Sequence, residues 1–143
     1  MLKLADILDN FEFLDDWEER YRYLIELGRE MPLMPEADHI DAYKVLGCAS
    51  QVWLKTSASG EQPPVLSFIG DSDAHIVRGL VALVITIFSG KSAQEILDTD
   101  AMAIFTSLGL EAHLTPQRSN GVRSMVERIK TDARAFTQNT VTG

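Results

Sequence analysis

Apolar positions recur at helical spacing through the first thirty residues. Leu4, Ile7, Leu8 and Phe11 follow the i, i+3, i+4, i+7 order of one buried helix face. Trp17, Tyr21, Leu24, Ile25 and Gly28 make a second stripe, with charges over much of the opposite side. Asp16 and Glu19 stand three apart at its start, as in a capping box with Asp replacing Ser or Thr. Gly28 and Pro32 mark its end, and the two prolines between Met31 and Asp38 predict an ordered loop.

The pattern then shortens. Ala42–Leu46 reads as a first strand, Gln51–Ser57 as a second and Val65–Ile69 as a third. Ala58–Pro64 holds Gly60, Pro63 and Pro64 and reads as the turn joining the last two. Beyond Gly70 the helical period returns. Val77, Leu80, Val81, Val84, Ile85 and Phe88 form a stripe that Leu83 and Ile87 widen, so this helix is expected to be the most buried element. Asp71 and Asp73 precede it in the positions of an N-cap and first-turn acids. Gly79, inside it, points to a close backbone approach. Ser92 and Glu95 form a capping box for a short helix through Leu97. Asp98 or Asp100 caps another that ends near Leu108–Gly109. Thr115–Pro116 is an N-cap and N1 pair for the last helix, with Ser119 as the other candidate start. Val122, Met125, Val126, Ile129, Ala133 and Phe136 line that helix's buried face.

Helices, then strands, then helices predict an α+β fold: a small antiparallel three-stranded sheet with helices packed on one face. A length of 143 residues suits one core. Residues 1–136 are expected to form a single domain and 137–143 a frayed tail. The longest apolar stretch, Leu80–Phe88, is too short to span a bilayer. The opening residues lack a basic region followed by an apolar one, so no secretory signal is expected and the cytoplasm is the expected compartment. The net charge of −8 argues against nucleic-acid binding.

One cysteine rules out an internal disulfide and any multi-cysteine metal site, and the three histidines show no ligand spacing. Neither a metal nor a cofactor is expected. Cys48 stands in Leu46-Gly47-Cys48-Ala49-Ser50-Gln51-Val52-Trp53, in a predicted loop between two strands where Gly47 permits a sharp turn. A lone cysteine often serves only as a small buried apolar residue. Composition and spacing leave that reading open beside a reactive thiol.

Three segments bear a resemblance. Gly47-Cys48-Ala49-Ser50-Gln51-Val52-Trp53 resembles the cysteine signature of the SufE family. Gly70-Asp71-Ser72-Asp73-Ala74, continued by Ile76-Val77-Arg78-Gly79-Leu80, resembles the family's second block. Leu114-Thr115-Pro116-Gln117-Arg118-Ser119-Asn120-Gly121 resembles its third. The blocks stand in the family's order. The resemblance implies the fold of the U-type iron–sulfur scaffolds, but with one cysteine in place of the several that hold iron. It also implies a non-enzymatic sulfur carrier. Cys48 would take persulfide sulfur from a pyridoxal-phosphate cysteine desulfurase of the SufS type, stimulate that enzyme, and deliver the sulfur to a downstream iron–sulfur scaffold. Gly47, Ser50, Gln51, Asp71, Asp73 and Arg118 are the expected loop-supporting or partner-facing residues. His75 is a candidate for lowering the thiol's pKa, against a plain surface role, and Trp53 is expected in the core. The competing readings are a cysteine-nucleophile hydrolase, which needs a base beside the thiol, a thiol redox sensor, and a binding module with an inert cysteine.

Overall fold

The computed structural model describes residues 3–142. Two helices, α1 (Leu4–Phe13) and α2 (Trp17–Glu30), open the chain. Asp16 caps α2 by accepting from the Glu19 backbone N–H at 2.8 Å. The segment that follows carries two 3-10 turns, Glu36–Asp38 and Asp41–Tyr43. Strands β1 (Val52–Ala58) and β2 (Val65–Ser72) then pair antiparallel, from Val52 opposite Ser72 to Ala58 opposite Leu66. Helix α3 (His75–Phe88) leads into β3 (Lys91–Ser92), which pairs antiparallel with the start of β2. Helices α4 (Ala93–Asp98), α5 (Ala101–Ser107) and α6 (Leu110–His113) precede the long α7 (Pro116–Thr142).

The architecture is α+β around a three-stranded antiparallel sheet of order β1-β2-β3. Its strands differ from the expected set. The expected strand over Ala42–Leu46 is a 3-10 turn followed by a single bridge between Lys44 and Trp53. The backbone carbonyls of Ala42 and Lys44 are met there by the side chain of Arg128 on α7. The third strand is the two-residue β3, too short for a period-2 pattern to register.

Alternation along the strands separates the two faces. Val52, Leu54, Leu66, Phe68, Gly70 and Ser72 turn inward, towards the helices. The outer face carries Trp53, Lys55 and Asp71. The 3-10 segment covers part of it through an Asp38–Lys55 ion pair at 3.3 Å and a His39–Asp71 contact at 2.7 Å. Among the described residues no helix is long and apolar enough to cross a membrane.

Helix α3 is the centre of the core. Ten of its fourteen residues are buried, from Val77 to Phe88. Each large apolar side chain so placed stabilises the fold by about 1.5–3 kcal/mol. It packs on α2 at glycine contacts: a Cβ on Gly28 would lie 2.8 Å from the Gly79 nitrogen, and a Cβ on Gly79 would collide with the Leu24 carbonyl. The close approach expected from Gly79 is therefore made with α2. The capping signals also hold. Ser92 and Glu95 form the reciprocal box of α4, Asp100 caps α5, and Thr115 accepts from the Arg118 N–H ahead of Pro116.

This contact yields a stability test. Gly79→Ala gains about 1 kcal/mol of helix propensity, but its methyl meets backbone that cannot rotate away, and such overpacking costs about 1–3 kcal/mol or more. The variant is expected to unfold at lower urea concentration than the parent. An unchanged or raised midpoint would contradict the α2–α3 contact.

Candidate functional site

Cys48 sits in the loop Leu46–Gln51, which the Val45 N–H closes by donating to the Val52 carbonyl at 2.8 Å. Gly47 has a φ of +92°, in the left-handed region, and a Cβ there would run into the Ser124 hydroxyl. Glycine therefore lets the loop double back onto α7 just before the cysteine. The result is a half-buried thiol whose Sγ–H donates to the Gly121 carbonyl at 3.6 Å. The sulfur borders a cavity of about 220 Å³, floored by Val77 and Leu80 of α3 and Met125 of α7, with Arg118 and Gln117 at its polar side. Burial pushes the Cys48 thiol pKa up. The resting sulfur is thus neutral and weakly nucleophilic.

The expected site residues fall into two groups. Gly47, Cys48 and Ser50 share the loop, and Arg118, from the first turn of α7, lines the cavity with Cys48 and Ser50. Asp73 reaches the same loop: its Oδ1 accepts from the backbone N–H of Gln51 at 3.0 Å, tying the loop's C-terminal stem to the β2–α3 corner. Asp71 lies apart, on β2, facing away from the cavity. Its carboxylate lies 2.7 Å from His39 Nε2 and 3.5 Å from Arg78 Nε, and it accepts from the Ser72 N–H at 2.8 Å.

Neither aspartate caps α3, contrary to expectation. The strand runs on through Ser72, and the N-cap is Ala74, which has no capping side chain. The Ser72 hydroxyl accepts from the Ala74 N–H instead, at 3.3 Å. His75 is exposed and does not line the cavity, so the histidine considered for activating the thiol stands away from it. Trp53 is half-buried on the outer face, edge-on to the His39 ring at 4.7 Å.

Three residues joined to this region had no sequence signal. His39 pins the connecting segment to Asp71. Ser124 lies under Gly47, and Arg128 bonds the stem that leads into the loop. All three act across long stretches of chain, where spacing carries no information. Of the described residues lining the cavity, none is a histidine or a carboxylate. Among the described residues there is also no cluster of three His, Cys, Asp or Glu able to hold a metal ion. What the arrangement offers is a single thiol, shielded by apolar groups, beside one fixed positive charge.

Comparison with known proteins yields four findings. Residues 5–133 match the family described as SufE, the Fe-S metabolism associated domain. An uncharacterized SufE-like protein of Rhizobium meliloti is 58% identical over 134 residues, covering 93% of this chain and 96% of the relative. Another, from Rhizobium etli, is 56% identical over 135 residues, covering 94% and 91%. A solution structure of a hypothetical protein from Thermus thermophilus has the same fold, with a TM-score of 0.75 over 96% of this chain and 99% of that one, at 20% identity.

Two pH dependences follow from the geometry. Alkylation of Cys48 by iodoacetamide is expected to inflect above the ordinary thiol value of about 8.5, because burial favours the neutral form. An inflection at or below that value would contradict a sheltered sulfur. For His39 the pKa is raised, first by its hydrogen bond to Asp71. The protonated ring is favoured in the folded state, so its stabilisation is complete below about pH 6.5 and is lost as pH rises through the folded value. The stability advantage of the parent over His39→Gln should therefore shrink between about pH 6 and 8, as followed by urea midpoints. A constant difference would show that the His39–Asp71 contact carries no charge.

Proposed function

Because this chain belongs to the SufE family of Fe-S metabolism associated domains, we propose that it is a cytoplasmic sulfur acceptor whose Cys48 receives a sulfur atom from a cysteine desulfurase. Its role lies in iron–sulfur metabolism. The observation that carries the finer reading is the setting of the chain's one thiol: half-buried on a glycine-turned loop, over a cavity with an apolar floor and a polar side, with Arg118 alongside.

The chemistry is an exchange between sulfurs. The Cys48 thiolate attacks the outer sulfur of a persulfide on the desulfurase. A bond forms between Sγ and that sulfur, and the bond between the two sulfurs of the donor breaks. The donor cysteine leaves as a thiolate, and Cys48 becomes the persulfide. One S–S bond replaces another, so no oxidant or reductant is consumed, and the carrier needs no metal of its own. The donor enzyme's pyridoxal phosphate performs the earlier carbon–sulfur cleavage. A second exchange hands the sulfur to an iron–sulfur scaffold.

Each part of the site serves one of these needs. At rest the hydrogen bond to Gly121 and the apolar floor keep the sulfur neutral and away from oxidants. For transfer the loop lifts outward, where the thiolate forms and reaches the donor. Arg118, a permanent cation at the cavity's edge, favours the anionic sulfur as it leaves its shelter. Gly47, Ser50, Gln51 and Asp73 hold the loop's shape. Asp71 supports it from a distance, by fixing the connecting segment through His39. A cysteine hydrolase would need a base against the thiol, and no observation in the cavity favours one.

Cys48→Ser is expected to keep the fold, since the hydroxyl is close in size to the thiol, and to return a stimulated desulfurase to its unstimulated rate of alanine formation. Incubating the parent protein with desulfurase and cysteine should add the mass of one sulfur atom at Cys48. Full stimulation by the serine variant, or no added sulfur on the parent, would end the acceptor reading.

A further inference from the structure

Arg128 spans the gap between α7 and the N-terminal stem of the cysteine loop. Its Nη2 donates to the Ala42 carbonyl at 2.7 Å, and its Nη1 to the Lys44 carbonyl at 3.1 Å. Its Nε donates to Asp132 Oδ1 at 3.3 Å. The other oxygen of Asp132 accepts from the Thr56 hydroxyl on β1, at 2.7 Å. All three nitrogens of the guanidinium are used, and the side chains of Arg128 and Asp132 are only 26% and 25% exposed. A planar fork of this kind grips two backbone carbonyls at fixed spacing, as no other side chain does.

The contacts along α7 follow one another at helical spacing. Gly121 meets Cys48, Ser124 lies under Gly47, Arg128 holds Ala42 and Lys44, and Asp132 returns to β1. Steps of three and four residues place them along one face. The two stems of the loop are held differently. The C-terminal stem runs straight into the β1–β2 ladder at Val52 and is tied by Asp73. The N-terminal stem makes one bridge, Lys44 to Trp53, and its Leu46 is 82% exposed. Beyond that bridge, the stem is anchored by Val45, buried in the core, by Tyr43 under the Lys55 ammonium, and by Arg128, which makes its side-chain hydrogen bonds to the stem carbonyls.

We infer that Arg128 is a positioning residue for Cys48: its fork on Ala42 and Lys44 latches the N-terminal stem of the loop and sets how often the thiol leaves its cavity. This rests on the reading of Cys48 as the reacting atom. The N-terminal stem swings and the C-terminal stem is the hinge. A partner that competes for the guanidinium, or for the two carbonyls, releases the sulfur.

The test is the rate at which iodoacetamide labels Cys48 in the purified full chain, measured from zero to low urea. Arg128→Met keeps the length of the stem and loses every donor, and it is expected to label faster on the order of tenfold, the size of effect lost charged hydrogen bonds produce. The rate should stay nearly flat in low urea, because local opening exposes little surface. Arg128→Lys keeps the charge but not the fork, and should label at an intermediate rate. Arg29→Met, on the solvent face of helix α2, should label as the parent does. Labelling of Arg128→Met at the parent rate would overturn the latch. So would an acceleration that follows the urea slope of global unfolding, since Arg128 would then merely stabilise the fold. If Arg128→Met does not fold, the same two outcomes are read from Arg128→Lys. No partner enters this measurement. Failed sulfur transfer with this labelling pattern intact would overturn the acceptor reading and leave the latch standing.

Discussion

The burial of α3 is the constraint on which the rest of the structure depends. Ten of its residues are out of water, and α2, the sheet and α7 all pack against it. A helix apolar on nearly every side must be enclosed, and enclosing it fixes where its neighbours lie. The glycine contact with α2 allows the two backbones to approach closely at one point. On another side, Val77 and Leu80 form the floor on which the Cys48 sulfur rests. The shelter for the thiol is therefore a continuation of the core and shares its rigidity.

Protection and reactivity make opposite demands on that sulfur. A thiolate reacts quickly with oxidants and stray thiols, and a neutral buried thiol does so slowly. The resting arrangement meets the first demand through desolvation and the bond to Gly121. On the proposed function, attack needs the thiolate, which burial disfavours, so the reactive state would differ from the resting one by exposing the sulfur to water beside Arg118. The loop's construction suits the proposed opening: glycine turns it sharply at Gly47, and polar contacts from α7 and from the β2–α3 corner hold its stems. Hydrogen bonds suit such a device better than apolar packing. They break singly, and water replaces them at modest net cost.

The sequence and the structure part company at the sheet and at the acidic pair. The stretch Ala42–Leu46 has the apolar content of a strand, yet it turns, and an arginine more than eighty positions away meets its carbonyls. Asp71 and Asp73 stand where helix caps stand, yet one serves a histidine on the sheet's outer face and the other the loop of the cysteine. Local preference supplied a reasonable partner in each case, and a distant group competed for it successfully. The two-residue β3 is the converse: it has no local pattern and exists only because β2 lies beside it.

Interactions that close within a few residues were determined by the sequence alone. They include the periodic helix faces, the caps at Asp16, Ser92, Asp100 and Thr115, the glycine-permitted turn at Gly47, and the presence of one thiol in a loop. Their energies depend on neighbours along the chain, so their spacing is written in it. The segments that resemble the SufE family belong with them, since a signature is a local string. Only the tertiary structure decided that Val77 and Leu80 would underlie the sulfur, that Asp73 would hold Gln51, and that Arg128 would grip the stem of the loop. Those contacts join residues far apart along the chain that the packing of α3 and α7 brings together in space, and no spacing rule reaches that far.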